Sequence, residues 1–187
     1  MTSKSFSSKG LLGDSLRRNL WGFVLGGVGF FFSLLLPVLM TMQRALETRA
    51  HQLKQFPELV DQGWQRALST VTSLLGGGNP FVKTAFVVMA IVCGIAMFAY
   101  LHTRQKVDFY HSLPISRTRL FVNNYLTGLI FAVSTSVVML VLTLACTYAM
   151  GFGAAVAWGV IGGAVMCHLI VFLLLSSLTV LTTIVCG

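Results

Sequence analysis

Apolar positions along the chain gather into four long runs, at residues 20–42, 81–101, 120–148 and 154–186, separated by stretches rich in polar side chains. The first run holds no charged residue and, at 1.5 Å rise per residue, spans the roughly 30 Å of a bilayer's hydrocarbon. The others also reach the roughly 20 residues that a span needs, so each run predicts a transmembrane helix. Gly22 and Gly26 stand four apart in the first run, with Gly29 one turn on, which makes a flat face where another backbone can approach. Gly159 and Gly163 repeat that spacing in the fourth. Pro37 removes a backbone donor and predicts a kink in the first span. The fourth run exceeds the roughly 20 residues that one span needs, so it is expected to be tilted, broken near Gly162 and Gly163, or only partly buried.

The polar stretches differ from one another. Residues 1–10 are rich in Ser and Lys and read as unstructured, while 11–20 form a short amphipathic segment with Arg17 and Arg18 at head-group depth. A twin-arginine export signal is the other reading of that pair, but the following run is too long and no small-residue cleavage site follows it. In the connection from 43 to 79, Leu59, Val60, Trp64, Ala67, Leu68, Val71, Leu74 and Leu75 recur at three-and-four spacing, so a helix with one oily stripe follows Pro57. Such a helix covers the bundle or dips into the outer leaflet; a gating or partner-binding role is the sharper alternative. Gly76 to Thr84 resembles a phosphate-binding loop only superficially. Val82 replaces the second motif glycine, Pro80 interrupts, and no strand precedes, so a turn into the second span is expected, with Lys83 snorkelling. The whole reads as an all-α, polytopic membrane helix bundle with a short N-terminal interfacial helix and an amphipathic outer helix.

Composition agrees. Of 187 residues, 56% are hydrophobic and 10% charged, against about 25% charged in soluble domains. The excess of 13 Lys and Arg over 5 Asp and Glu fits anchors for membrane lipid, and no basic run interleaved with aromatics argues for nucleic acid. Lys4, Lys9, Arg17 and Arg18 lie before the first span and Arg104, Lys106, Arg117 and Arg119 between the second and third, whereas five bases between 43 and 83 are offset by three acids. The positive-inside rule therefore puts residues 1–19 and 103–119 in the cytoplasm and 43–79 outside.

Candidate chemistry is sparse. Cys93, Cys146, Cys167 and Cys186 lie in or at the ends of apolar runs without C-x-x-C spacing and read as packing residues. His102, Asp108 and His111 are the one cluster of ligand types, but no third convergent ligand is fixed, so a solvated, partner-contacting face is expected and no metal. His168 is an ionisable group inside a span, expected neutral and hydrogen-bonded to a neighbouring helix. Residues 20–42, 84–101 and 120–186 contain no Asp, Glu, Lys or Arg. An ion-coupled carrier or an intramembrane hydrolase needs such groups near the midplane, so neither is expected, nor is any catalytic residue or cofactor.

The segment from 102 to 128, HTRQKVDFYHSLPISRTRLFVNNYLTG, concentrates bases, an acid, histidines, a proline and aromatics between two spans. Ser116 is placed to cap a helix opened by Arg117, Thr118 and Arg119. Asp108, His111, Ser112, Leu113, Pro114, Ile115, Arg117, Leu120 and Phe121 resemble a D-x-x-H-S-L-P-I-x-R-x-x-L-F signature between the second and third spans of bacterial type-2 ABC exporter permeases. The segment SLRRNLWGFVL is similar to that family's entry helix. The resemblance implies a non-catalytic transmembrane subunit in the bacterial cell membrane. Asp108, Phe109, Tyr110, His111, Leu113, Pro114, Arg117 and Arg119 would meet a nucleotide-binding ATPase subunit, and a second permease copy or a homologous permease would complete the transporter. Apolar anchors ringed by charge suit a mechanical joint. Such permeases usually have six spans or more, and the chain ends in an oily run, so it is expected to be the N-terminal part of a longer transporter, unable to transport alone. The alternative is a non-transporting interaction or regulatory subunit that uses its small-residue faces to bind other spans.

Overall fold

A computed structural model describes residues 13, 17, 20–56, 58, 60–98 and 117–186, the side chains of Met97, Arg117 and Cys186 excepted. The described residues are helical and contain no strand. Five helices carry the fold: α1 (Leu20–Gln55), α2 (Val60–Leu75), α3 (Pro80–Phe98), α4 (Arg117–Ala149) and α5 (Trp158–Cys186), with a 3₁₀ turn at Gly153–Ala155. Four helical stretches are long and apolar enough to cross a membrane, so the chain is a multi-pass membrane protein. The expected interfacial helix at 11–20 lies outside the described residues apart from Gly13, Arg17 and Leu20.

The first helix does not stop where its apolar run does. It continues through Gln43 to Gln55, because QRALETRAHQLKQ consists of good helix formers until Pro57 ends the possibility. Helix α2 then turns back along it, and its oily stripe explains why: Leu68, Val71 and Leu75 bury against Val38 and Met42 of α1 and against Phe152 and Ile161. This helical hairpin closes one end of the bundle. Trp64 packs on Phe152 with ring centroids 4.7 Å apart, Arg49 lies 4.4 Å over the Trp64 ring, and the Thr72 hydroxyl donates to the Ala155 carbonyl at 2.8 Å. A second core joins the spans themselves, with Phe30 and Leu34 of α1, Phe86, Met89 and Cys93 of α3, Phe131 of α4 and Phe172 of α5 buried together.

Both tight turns at this end are built alike. Helix α2 ends with Gly77 at φ +87° and Gly78 N–H donating to the Ser73 carbonyl; α4 ends with Gly151 at φ +82° and Phe152 N–H donating to the Thr147 carbonyl. Each glycine supplies the left-handed residue that lets one of the last carbonyls find a donor beyond the helix end. The second turn delivers Phe152, fully buried, against Trp64.

Asn79, fully buried, couples the first turn to α1. Its Oδ1 accepts from Phe81 N–H at 3.0 Å, capping α3 just before Pro80, and its Nδ2 donates to the Ser33 carbonyl at 2.7 Å. Ser33 is four residues before Pro37, so in a regular α-helix its carbonyl would wait for the N–H that proline lacks. Just before Pro37 the helix departs from regular α geometry: residues Phe31–Leu35 widen into a π-helical turn, Leu36 N–H donates to the Phe31 carbonyl, and Asn79 fills the vacancy at Ser33.

Helix α5 runs unbroken through Gly162 and Gly163 and is largely exposed, so of the three alternatives expected for the long fourth run the break is ruled out and partial burial is found. Glycine costs a helix only about 1 kcal/mol, and flanking apolar residues in a span leave the backbone no other partner. Replacing Asn79 with Ala should lower stability by about 1–3 kcal/mol, since both a cap and the donor to a buried carbonyl are lost. Asn79→Asp keeps the cap but not the donor, and should recover little of that loss in denaturation of the detergent-solubilised protein.

Candidate functional site

Asp108, Phe109, Tyr110, His111, Leu113 and Pro114, together with His102, lie outside the described residues. Arg117 opens α4, and Arg119 is exposed in its first turn. The 33 residues of α4 make a rod of about 50 Å, some 20 Å more than the hydrocarbon is thick. Its amino-terminal turns, carrying Arg119, Asn123 and Asn124, are polar where the rest is oily, so the helix that leaves the 99–116 segment enters the membrane without a joint.

Around that entry the helix ends are tied to one another. Phe98, the last residue of α3 and nearly fully buried, meets Phe121 of α4 with centroids 5.2 Å apart, and Phe121 stacks on Tyr125 at 6.3 Å. The Tyr125 hydroxyl lies 3.1 Å from Ser177 Oγ and 3.4 Å from Ser176 Oγ of α5. A little deeper, a Cβ placed on Gly94 of α3 would stand 2.8 Å from the Thr179 side chain, so α3 and α5 touch almost backbone to backbone. A displacement of the 99–116 segment would thus act on α3 and α4 directly and on α5 through Tyr125.

The glycines singled out by spacing divide in two. Gly22 and Gly26 are buried, Gly22 against Phe131 and Gly26 against Met89 and Thr135, where a Cβ would approach Met89 Cε to 2.9 Å. Gly159 and Gly163 are exposed on α5, and a methyl group added at either would meet nothing within 4 Å. Spacing alone did not identify Gly94, whose only signal was a glycine inside an apolar run.

His168 is half-buried on α5. Its Nδ1 donates to the Ala164 carbonyl of its own helix at 2.7 Å, where a neighbouring helix was expected to supply the partner, because one turn back is the nearest acceptor within a span. A carbonyl only accepts, so Nδ1 carries a proton. Its ring stacks on Phe86 at 5.0 Å and borders Gly77, beside a cavity of about 50 Å³ that Ser136 also lines. The arrangement holds the ring in place and brings no second ionisable group to it among the described residues.

Gly26→Leu and Gly94→Leu should each lower the stability of the detergent-solubilised chain by about 1–3 kcal/mol in thermal denaturation, whereas Gly159→Leu and Gly163→Leu should stay within about 0.5 kcal/mol. Comparison with known proteins finds no matching family model, no matching curated protein and no matching solved structure.

Proposed function

We propose that this chain is a transmembrane permease subunit of an ATP-driven ABC exporter in a bacterial cell membrane, with its N-terminus and the 103–119 segment in the cytoplasm. Energy would enter through that segment, gripped by a separate nucleotide-binding subunit. The observation that carries the reading is the segment itself: VDFYHSLPISRTRLF, with apolar anchors among charges and the exporter-like signature, leads straight into the 33-residue rod of α4. Among the described residues, Asp, Glu, Lys and Arg occur only at helix ends and along the α1–α2 hairpin. Such spans suit a machine driven mechanically, since coupling to an ion gradient needs charge near the midplane. The rigid ties at Phe98, Phe121 and Tyr125 then supply the route from the grip to the bundle. The exposed Gly159–Gly163 end of α5 is where a second permease copy or a homologous permease would sit.

Affinity capture of this chain together with the nucleotide-binding subunit encoded nearest to it tests the reading. Joint replacement of Phe109, Tyr110 and Leu113 by Ala should cut recovery of that subunit at least about tenfold, with membrane insertion unchanged. Recovery equal to the parent chain's, or a gene neighbourhood without any such subunit, would favour a non-transporting interaction protein.

Orientation has its own check. In a variant whose native cysteines are replaced by Ser, cysteine at Gln62 should react with an impermeant thiol reagent in intact cells and cysteine at Gln105 should not. Labelling at Gln105 would put the segment on the wrong side for a cytoplasmic ATPase.

A further inference from the structure

Between α1 and α3 lies a groove of about 300 Å³, the lower end of the range for small-molecule pockets. Its α1 wall runs from Leu25 to Ser33 and its α3 wall from Phe81 to Met89, with Gly26 and Gly29 as the floor. Either wall measures about 12 Å along its helix, close to the roughly 15 Å that one leaflet contributes to the hydrocarbon. A site of that depth, largely apolar and flanking lipid, has the dimensions of a single acyl chain in one leaflet.

Ser33 gives the groove a polar end. Seven Ser and Thr side chains are buried among the described residues. Six of them, Thr127, Thr135, Thr143, Thr147, Ser176 and Thr183, donate to the carbonyl three or four residues back, as hydroxyls in spans ordinarily do. Ser33 is the exception: it is 7% exposed, and its Oγ has no hydrogen-bond partner. A buried hydroxyl without an acceptor is costly, and one rotamer step about χ1 can turn it toward the groove without breaking any bond. Depth matters too. The Asn79 bond holds Ser33 level with the start of α3, where Phe81 is exposed and Lys83 projects from the first turn. An exposed aromatic and a lysine at a span's end mark the head-group boundary, and the ester carbonyls of a phospholipid lie just inside it.

We infer that the α1–α3 groove binds one membrane phospholipid: its acyl chain lies along Gly26, Gly29, Ala85 and Val88, and its ester carbonyl accepts from the Ser33 hydroxyl. The widened turn at Phe31–Leu35 thereby has a use beyond accommodating Pro37, since it is where the one unpartnered buried hydroxyl among the described residues is kept. Nothing in this site depends on an ATPase partner.

The test uses the full chain in liposomes of phosphatidylethanolamine and phosphatidylglycerol, with a trace of phosphatidylglycerol carrying a photoreactive diazirine in its acyl chain. Cross-linked residues are mapped by mass spectrometry. Labelling should concentrate on the groove over the exposed apolar residues Leu174, Leu178 and Leu181 of α5. Ser33→Ala should lower groove labelling roughly threefold to tenfold, the worth of one hydrogen bond. Gly29→Phe, at a position with nothing within 4 Å, should fill the groove and erase the excess over α5. An ether-linked probe, which has no ester carbonyl, should label the groove weakly and equally in the parent and Ser33→Ala proteins. Even labelling of groove and α5, or groove labelling indifferent to Gly29→Phe, would overturn the site. An equal effect of Ser33→Ala on ester and ether probes would overturn the role given to the hydroxyl.

Discussion

The bond from Asn79 to the Ser33 carbonyl is the constraint on which the arrangement of the first three helices rests. In water a carbonyl orphaned by proline finds a solvent molecule; within a bilayer it must find a protein donor or cost several kcal/mol. Asn79 answers that need while its other amide atom caps α3, so one side chain fixes where α3 starts relative to the widened turn of α1. That position then sets the register of Phe30 against Phe86, whose rings meet edge-on at 4.8 Å, and of Gly26 against Met89. It also sets the width of the groove between α1 and α3.

From this anchor the two ends of the molecule take different characters. The end with the α1–α2 hairpin is closed by aromatic packing and by two glycine-terminated turns at Gly77 and Gly151. The opposite end is organised about the entry of α4, where Phe98, Phe121 and Tyr125 form a short aromatic ladder from α3 to α5. A fixed end and an end tied to an external polar segment are what a lever needs. This supports reading the chain as the passive, mechanically driven part of a transporter, with a lipid lodged where the fixed end meets the membrane.

Much of the fold was legible because charge-free runs and three-and-four spacing report directly on burial, and a bilayer forbids most alternatives. The oily stripe from Val60 to Leu75 and the turn after it were readable for that reason. Continuation of α1 to Gln55 was hidden by a change from apolar to polar composition without a change in helix propensity. Asn79 is visible in retrospect as an asparagine before a proline, a capping signal, but its second bond joins residues 46 positions apart and leaves no local trace. The unpartnered state of Ser33, the close approach at Gly94 and the open space around Gly159 and Gly163 are likewise properties of neighbours. Spacing marks which residues share a face and stays silent on what faces them. The acidic and aromatic part of the candidate coupling site, from Asp108 to Pro114, stands on the sequence alone.

A double-mutant cycle on Pro37 and Asn79 tests the central constraint most directly. Pro37→Ala restores an N–H within reach of the Ser33 carbonyl, so the donor of Asn79 loses its purpose and retains only the cap. Unfolding free energies of the parent, Pro37→Ala, Asn79→Ala and double variants in detergent should give a coupling of about 1 kcal/mol or more, with Asn79→Ala clearly less harmful when residue 37 is Ala. Costs that add to within about 0.5 kcal/mol would contradict the account, since independent effects would mean that Asn79 does not stand in for the missing proline donor.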